Sequence, residues 1–246
     1  MAIAINEQDF YSIFTKTFSA NGLSSLVNKE SVSTFYKLTI RMLEENEKYN
    51  LTAITDIDKV ILNHYADCVM ISSKIKKGAS IIDIGCGAGF PTLPLAIVRP
   101  DLKIYAVDST AKRVNYVATT AEMLSLSNVT AITARAEDLS RSELRESFDY
   151  ATARAVAELR VLAELCLPFV KRGGQMLAMK GKNAEFELSG AKRAISMLGG
   201  RSPRCESVKL IGGASEETHP LIIIDKAEKT PAAYPRPYAQ ISKKPL

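Results

Sequence analysis

The chain has 246 residues, a formal net charge of +5 and 46% hydrophobic residues, enough for one well-filled core, so the composition excludes a disordered chain. No apolar run approaches the roughly 18 residues of a membrane span, and the amino terminus lacks the charge pattern of a secretory signal. Four scattered cysteines and two histidines favour a reducing, cytoplasmic setting and no metal site.

Residues 1–76 form a predicted helical N-terminal segment. Phe35, Leu38 and Met42 recur at offsets of three and four with charged residues opposite, which is the pattern of one buried helix face. Asp56 is a good N-cap for the apolar stretch that follows it. An earlier set repeats the helical spacing, namely Phe10, Ile13, Phe14 and Phe18. We expect these aromatic side chains to be core.

From residue 77 to about residue 228, short β-branched runs alternate with helical stretches. This alternation predicts an α/β fold in which a mostly parallel, doubly wound sheet of seven strands is covered on both faces. Residues 171–174 (KRGG) predict a turn before the fifth strand. Residues 206–211 and 220–225 form two predicted strands with no helix between them, joined by GGASEETH. We therefore expect an antiparallel last strand.

A glycine-rich segment, IIDIGCGAGFP, closes the first predicted strand and places glycine at alternate positions 85, 87 and 89. Glycines at such a turn permit positive φ and let a ligand approach the backbone. A dinucleotide site needs G-x-G-x-x-G, but Phe90 stands where its third glycine belongs. Asp83 would repel a pyrophosphate and attract an ammonium group. The D-x-G-x-G-x-G pattern resembles the first motif of S-adenosylmethionine-dependent methyltransferases.

The next two strands end in residues that suit a nucleoside. Asp108 ends the second strand, and a carboxylate there accepts hydrogen bonds from ribose hydroxyls, in nicotinamide enzymes as well. After the third strand, Ala136 and Glu137 could contact an adenine, although Glu137 and Asp138 could equally be solvated loop charges. Together the three strand ends favour a methyltransferase over a nicotinamide oxidoreductase.

The fourth strand predicts which atom accepts the methyl group. It lacks the [N/D]-P-P-[Y/F] motif of amine methylation, and no Pro-Cys nucleophile occurs in the chain. Arg154 stands at this strand end and cannot act as a base. Guanine N7 carries a lone pair and no proton, so it needs alignment rather than a base. Arg154 could hold O6, a phosphate or the cofactor carboxylate, or form an ordinary surface ion pair.

With these motifs collected, the chain resembles the bacterial small-subunit ribosomal RNA guanine-N7 methyltransferases once called glucose-inhibited division protein B. The resemblance runs nearly end to end, through KYNLTAITD, NHYADCV, DIGCGAGFPTLPLAIVRP, VDSTAKRV, ARAED, ARAVAEL, AMKG and the ending YPRPYAQISKKPL. It implies a class I S-adenosylmethionine-dependent methyltransferase with a Rossmann-like sheet in residues 77–228, followed by a basic tail over residues 229–246. The implied substrate is one guanosine in the decoding-region hairpin of 16S rRNA, in free RNA or in the small subunit.

The resemblance also implies the site residues. Cofactor contacts are expected from Gly85, Gly87, Phe90, Asp108, Ala136, Glu137 and Arg154. Asp83, from the glycine-rich motif described above, is expected to contact the cofactor as well. Arg154 would position the substrates, with no general base. RNA contacts are expected from Asn50, His64, Asp67, Lys180, Arg236, Lys243 and Lys244. Two plainer interpretations stay open: His64 and Asp67, three residues apart, could cap a helix or pair with each other, and Lys180 could be a turn residue.

The tail departs from the resemblance and leaves an alternative function open. Pro237 stands where the family usually has a basic residue, and Ala239 stands where it has glycine. The tail could therefore add phosphate affinity through its lysines, or be a disordered, solvated end. An RNA-binding or ribosome-assembly protein with a vestigial cofactor pocket is the alternative to an enzyme. We expect a monomer.

Overall fold

The fold is built on one seven-stranded sheet, seen in a computed structural model that describes residues 5–212 and 215–246. The strand order is β3-β2-β1-β4-β5-β7-β6, in which β1 to β5 pair in parallel and β7 runs antiparallel to both of its neighbours. The strands are β1 (Ser80–Ile84), β2 (Lys103–Asp108), β3 (Val129–Thr133), β4 (Phe148–Arg154), β5 (Val170–Met179), β6 (Gly200–Gly212) and β7 (Ser215–Lys226). The predicted fold class is confirmed.

Helices cover both faces of the sheet. Along β1, Ile81 packs into the core on one face, whereas Ile82 and Ile84 pack into the core on the other. A parallel sheet covered in this way has apolar residues on both faces, which explains the continuous apolar runs in the sequence. The helices after the first strand are α5 (Thr92–Val98), α6 (Ala111–Met123), α7 (Ala136–Leu139), α8 (Leu159–Cys166), α9 (Ala184–Met197) and α10 (Tyr238–Lys243).

The N-terminal segment is helical, as predicted, and shares the core of one sheet face. It contains α1 (Glu7–Ala20), α2 (Lys29–Tyr49), α3 (Ile57–Lys59), a π-helical stretch (Val60–Ala66) and α4 (Asp67–Met70). Asp56 caps α3 by accepting from the Lys59 backbone N–H, which confirms the predicted cap. Phe35 lies 4.9 Å from Tyr65 between ring centroids, and Tyr65 lies 6.2 Å from Phe90. This aromatic chain joins the N-terminal helices to the glycine-rich segment.

The hairpin formed by β6 and β7 is longer than predicted. Their register runs from Gly200 opposite Lys226 to Gly212 opposite Ser215, so residues 215–219 belong to β7 and not to a connecting loop. Residues 213–214 of the predicted connection lie outside the described residues. The polar strand residues are paired across the hairpin, with Lys209 2.8 Å from Glu216. Exposed charged pairs lack the β-branched signal of a buried strand, which is why the sequence pattern missed them.

The glycine pair before the fifth strand also lies inside a strand. Residues 171–174, predicted to form a turn, belong to β5, where Gly173 has a φ of +83°. The pairing with β4 shifts register between Phe148 and Tyr150, as in a β-bulge. The predicted turn at 171–174 was therefore wrong, because glycines mark an irregularity in a strand as readily as its end.

The C-terminal tail packs on the sheet's helical cover. Ile241 of α10 is fully buried in the core that contains α8 and α9. Arg236 forms an ion pair of 2.6 Å with Glu164, whose side chain in α8 is fully buried. Of the two interpretations of the tail that the sequence left open, the disordered, solvated end is therefore wrong, because a buried carboxylate and an apolar contact anchor the tail.

Candidate active site

The glycine-rich turn between β1 and α5 has a backbone that other residues would strain. Gly85, Gly87 and Gly89 have φ values of +72°, +54° and +83°. A Cβ at Gly85 would lie 2.6 Å from Cγ2 of Val156, whereas a Cβ at Gly87 would meet only a backbone oxygen 3.9 Å away. The turn therefore packs tightly on one side and leaves open space at Gly87, where a ligand can reach the backbone.

A cavity of about 390 Å³, called the first cavity here, lies over this turn at the carboxyl ends of β1, β2 and β4. Ligands of doubly wound sheets bind at this edge, where the chain order reverses between β1 and β4. The predicted cofactor residues that line it are Gly85, Gly87, Phe90, Asp108, Ala136, Glu137 and Arg154. The structure thus brings seven of the eight predicted cofactor residues to one cavity.

Asp108 is held rigidly at the wall of the first cavity. Its carboxylate accepts hydrogen bonds from the backbone N–H of Gly87 at 3.2 Å and of Thr110 at 2.8 Å, and Nη1 of Arg113 lies 3.6 Å away. The side chain is only 6% exposed. A carboxylate oriented in this way can accept hydrogen bonds from the two hydroxyls of a ribose.

Asp83 lies behind the turn rather than in the lining of the first cavity. Its residue is 1% exposed, and its two carboxylate oxygens accept from the hydroxyls of Thr92 at 2.7 Å and Thr152 at 3.0 Å. Burial raises its pKa to about 6, against the lowering effect of the two threonine hydroxyls. The expected contact between Asp83 and a ligand ammonium stays a prediction.

Arg154, at the end of β4, separates the first cavity from a second one. The second cavity, of about 410 Å³, shares His64, Arg154 and Ala155 with the first. Its other lining residues are Ile54, Asn63, Asp67, Met70, Ile71, Met179, Lys180, Gly181, His219, Pro220 and Leu221. Nη1 of Arg154 donates to the Asn63 carbonyl at 2.8 Å, and its guanidinium lies 5.3 Å from the ring centroid of Phe90. Arg154 is therefore a fixed cation in a shared wall rather than a surface ion pair.

His64 and Asp67 meet through Arg154 rather than directly. Nη2 of Arg154 lies 3.2 Å from Nδ1 of His64, and Nη1 lies 3.4 Å from Oδ2 of Asp67. Because a guanidinium can only donate, Nδ1 of His64 accepts, and Nε2 carries the proton toward the Thr52 hydroxyl at 2.8 Å. Burial, assisted by Arg154, lowers the pKa of His64 to about 4, so the ring is neutral at pH 7. Its ring stacks on Phe90, with 4.5 Å between centroids.

The remaining predicted RNA residues are placed differently. Lys180 is nearly buried, and its Nζ donates to the Ala157 carbonyl and to Glu187, both at 2.7 Å, so it is more than a turn residue. Asn50 is exposed and ends α2 in a left-handed conformation, with a φ of +48°. Lys243 and Lys244 are exposed on the tail, whereas the guanidinium of Arg236 is occupied by Glu164. Their contacts with RNA stay predictions.

Comparison with known proteins identifies the family of the chain that contains these cavities. The model of the family described as GidB, rRNA small subunit methyltransferase G, matches residues 29–212. A ribosomal RNA small subunit methyltransferase G from Clostridium perfringens (strain SM101 / Type A) is 40% identical over 240 residues, which cover 96% of this chain and 99% of the relative. The chain belongs to this family. The resemblance drawn from the sequence motifs is confirmed.

Other members of the methyltransferase G family match at similar levels. The protein from Staphylococcus carnosus (strain TM300) is 45% identical over 222 residues, covering 89% of this chain and 90% of that protein. The protein from Lactobacillus delbrueckii subsp. bulgaricus (strain ATCC 11842) is 42% identical over 240 residues, covering 95% of this chain and 98% of that protein. The match therefore includes the helical segment, the sheet and the tail.

Solved structures support the fold. A SAM-dependent O-methyltransferase from Thermotoga maritima has a TM-score of 0.52 at 16% identity, covering 77% of this chain and 72% of that chain. A SAM-dependent methyltransferase from Aquifex aeolicus has a TM-score of 0.51 at 19% identity, covering 69% and 93%. The fold is that of class I S-adenosylmethionine-dependent methyltransferases.

The first cavity of this family member suits that cofactor. Asp108 offers fixed acceptors for a ribose, and the open space at Gly87 lets a ligand lie against the backbone. Among the described residues, no group of three or more His, Cys, Asp or Glu side chains is placed to hold a metal ion, and no helix is long and apolar enough to cross a membrane.

The sequence patterns missed several residues that line the two cavities. Thr52 orients His64, and Arg113 approaches Asp108. Arg135 lies 5.7 Å from the ring of Tyr238, which brings the tail to the rim of the first cavity. His219 contacts Asp67 from β7. Arg113 and Arg135 follow strand ends and could have been found by that rule, whereas His219 and Tyr238 come from distant segments that carried no such signal.

Proposed function

We propose that this protein transfers the methyl group of S-adenosylmethionine to N7 of a guanosine in the decoding-region hairpin of 16S rRNA. The first cavity holds the cofactor and the second cavity admits the base. The observation that carries the proposal is that the two cavities meet at Arg154 while the titratable groups of the second cavity are already engaged. The partner is 16S rRNA or the small subunit, met in the cytoplasm by a monomer.

The engagement of these groups argues against chemistry that needs a base. Both ring nitrogens of His64 are in hydrogen bonds, and the two oxygens of Asp67 face Arg154 and His219. Nζ of Lys180 is bonded to Glu187 and a carbonyl. An exocyclic amine would need a group to accept its proton, whereas N7 has none to lose. The site therefore suits an acceptor that is already nucleophilic.

Cysteine chemistry at a pyrimidine C5 is likewise disfavoured. Cys86 lines the first cavity, but burial raises its pKa far above neutrality, and burial does the same for Cys166 in α8. A thiol in its protonated form is a poor nucleophile. The two cysteines are therefore packing residues.

The chain's own residues orient the reactants and exclude water. When bound, S-adenosylmethionine would supply a methyl group on a sulfonium; transfer of that methyl group to the N7 lone pair would leave the electrons of the carbon–sulfur bond on sulfur. Arg154, fixed by Asn63, His64 and Asp67, can donate hydrogen bonds to guanine O6 or to the cofactor carboxylate. Alignment alone can contribute about 7–11 kcal/mol to lowering a barrier of this type.

The predicted contacts divide between the two substrates. Asp108, Ala136 and Glu137 would hold the nucleoside, with Asp83 and the glycine turn beside the amino-acid end. Asn50, His64, Asp67 and Lys180 would meet the base and its neighbours. Arg236, Lys243 and Lys244 would neutralise phosphates, which adds affinity without reading sequence.

The test is to incubate the protein with methyl-labelled S-adenosylmethionine and either free 16S rRNA or small subunits that lack the modification, and then map the labelled nucleotide. We expect N7-methylguanosine at one position of the decoding-region hairpin. Label on an exocyclic nitrogen, a ribose or a C5 carbon would refute the proposal. RNA binding with no cofactor binding would instead support the assembly-protein alternative.

A further inference from the structure

The chain contains two histidines, and both contact the pair formed by Arg154 and Asp67. His64 meets Arg154 from the π-helical stretch before α4. His219 meets Asp67 from β7, with 3.0 Å between its Nδ1 and Oδ1 of Asp67. The order of contacts is therefore His64, Arg154, Asp67, His219; the first two line both cavities, and the last two line the second cavity alone.

Several contacts fix the hairpin of β6 and β7 against neighbouring parts of the fold. The Lys180 backbone N–H donates to the Pro220 carbonyl at 2.9 Å, which fixes the residue after His219 to the end of β5. Asn21 exchanges two hydrogen bonds with the Ile211 backbone, at 2.8 Å and 3.0 Å, at the far end of the hairpin. Gly212 lies directly against Leu62. The position of His219 is thus set by the fold and not by its own side chain.

The charged groups around His219 favour its protonated form. Asp67 faces it from α4, and Oε2 of Glu217, on its own strand, lies 3.6 Å from Nε2. Arg154 and Lys180 line the same cavity from the ends of β4 and β5. The hydrogen bond to Asp67 raises the pKa of His219 above its ordinary value, against the opposing effect of partial burial.

We propose that His219 is a positioning residue that holds Asp67 and, through it, fixes Arg154 between the two cavities. This role rests on the proposed function, because it concerns the alignment of the base with the methyl group. Asp67 has two charged partners, Arg154 and His219. Without His219, Asp67 can move closer to Arg154 and pull its guanidinium away from His64. Misplacement of about 1 Å at a reacting centre can reduce a rate about 100-fold.

The experiment compares His219→Ala and His219→Asn with wild type. The asparagine side chain keeps an N–H close to the place of Nδ1 but carries no charge. We expect His219→Ala to lower kcat about tenfold to 100-fold, with a smaller rise in the Kd for S-adenosylmethionine, because Arg154 is one of several cofactor residues in the first cavity and Asp108 there does not contact Asp67 or His219. His219→Asn should recover kcat only to the level that wild type keeps at a pH above the pKa of His219, because its side chain can donate a hydrogen bond but carries no charge. Thr218→Ala, on the exposed opposite side of β7, is the matched control and should behave as wild type.

The pH profile separates positioning from simple support of the fold. Wild-type kcat should fall as pH rises through the pKa of His219, since its charge then no longer holds Asp67, and this fall should be absent in His219→Asn. The proposed role would be overturned if the pH dependence of kcat in His219→Asn matched that of wild type, or if kcat in His219→Ala equalled that of wild type.

A second measurement does not depend on activity. With two histidines in the chain, an NMR spectrum selective for imidazole Cε1–H contains two signals, and His219→Asn assigns them. We expect His219→Asn to shift the His64 signal through Asp67 and Arg154, and Thr218→Ala to leave it in place. If the chemical shift of the His64 signal were the same in His219→Asn as in wild type, the proposed linkage would be overturned even if rRNA methylation were established. Absence of methylation with the linkage intact would count against the proposed function alone.

Discussion

At the scale of single residues, two aspartates at neighbouring strand ends have different environments. Asp108 faces the first cavity and is held by backbone N–H groups, whereas Asp83 is enclosed and bonded to two threonine hydroxyls. The same side chain is therefore a ligand acceptor in one place and a buried group of raised pKa in the other. The difference comes from what covers each strand end.

Replacing Asp108 by Asn is expected to weaken cofactor binding. A charged acceptor of hydrogen bonds contributes about 1.5–3 kcal/mol to an interaction, so the Kd for S-adenosylmethionine should rise about tenfold to 100-fold. Isothermal titration calorimetry measures this directly. Asp138→Asn is the control, since Asp138 is exposed beside Glu137 and its variant should bind as wild type. Equal affinities for both variants would contradict the site.

Replacing Asp83 by Asn is expected to stabilise the protein more at pH 7 than at pH 4. Burial raises the pKa of Asp83 from 3.8 to about 6, so in this window the native state binds a proton that the unfolded chain has released. Wild type therefore loses stability as pH rises, on the order of 3 kcal/mol in total, and the asparagine variant does not. Urea unfolding of both proteins across this range checks the prediction, and a difference that stays constant with pH would refute it.

At the scale of elements, the turn between β1 and α5 combines left-handed backbone with close packing. Gly85 has no room for a Cβ beside Val156, and Val156 itself lines the first cavity. The turn, the β4 end and the cavity shape are therefore one unit. A change at the glycine alters the wall that the cofactor meets.

Gly85→Ala is expected to lower the free energy of unfolding by about 1–3 kcal/mol, because its φ of +72° strains an L-residue and the new methyl group pushes Val156 aside. Cofactor affinity should fall with it. Gly190→Ala, in α9 with nothing within 4 Å of its Cβ position, is the matched control and should be stabilising by about 0.5–1 kcal/mol. Chemical denaturation and calorimetry measure the two effects. Similar losses in both variants would argue against a special role for the turn.

At the scale of the whole molecule, the tail closes the structure over α8. Arg236 reaches the buried Glu164 through both its backbone N–H and its guanidinium, at 2.6–2.9 Å, and Ile241 fills the core beside it. Lys226, at the end of β7 just before the tail, is also buried and donates to the Leu167 carbonyl. Part of the tail's positive charge is therefore used inside the protein.

Arg236→Ala is expected to destabilise the protein by about 3–5 kcal/mol, because it leaves the Glu164 carboxylate buried without its ion-pair partner. Thermal unfolding followed by circular dichroism checks this. Lys229→Ala removes an exposed positive charge from the same tail and should change stability by less than about 0.5 kcal/mol. If both substitutions were equally mild, the tail would not be anchored through Glu164.

Features that depend on residues close together in the chain could be predicted from the sequence. The spacing of the glycines predicted the turn between β1 and α5, and Asp56 predicted the start of α3. The positions of strand ends predicted that Asp108, Ala136 and Glu137 line one cavity. These succeed because φ preferences, capping and the alternation of apolar residues act over a few residues of chain. The order of motifs was enough to indicate the family and the fold.

Contacts between residues far apart in the chain could not be predicted from the sequence and became visible in the folded structure. The enclosure of Asp83, the approach of His219 to Asp67 and the anchoring of Arg236 by Glu164 join segments far apart in the chain. The length of the β6–β7 hairpin could not be predicted either, because each of its exposed, charged strands is stabilised by pairing with the other strand. Spacing along a chain carries no record of such partners, since burial and ion pairing arise only when packed elements bring the groups within a few ångströms of each other.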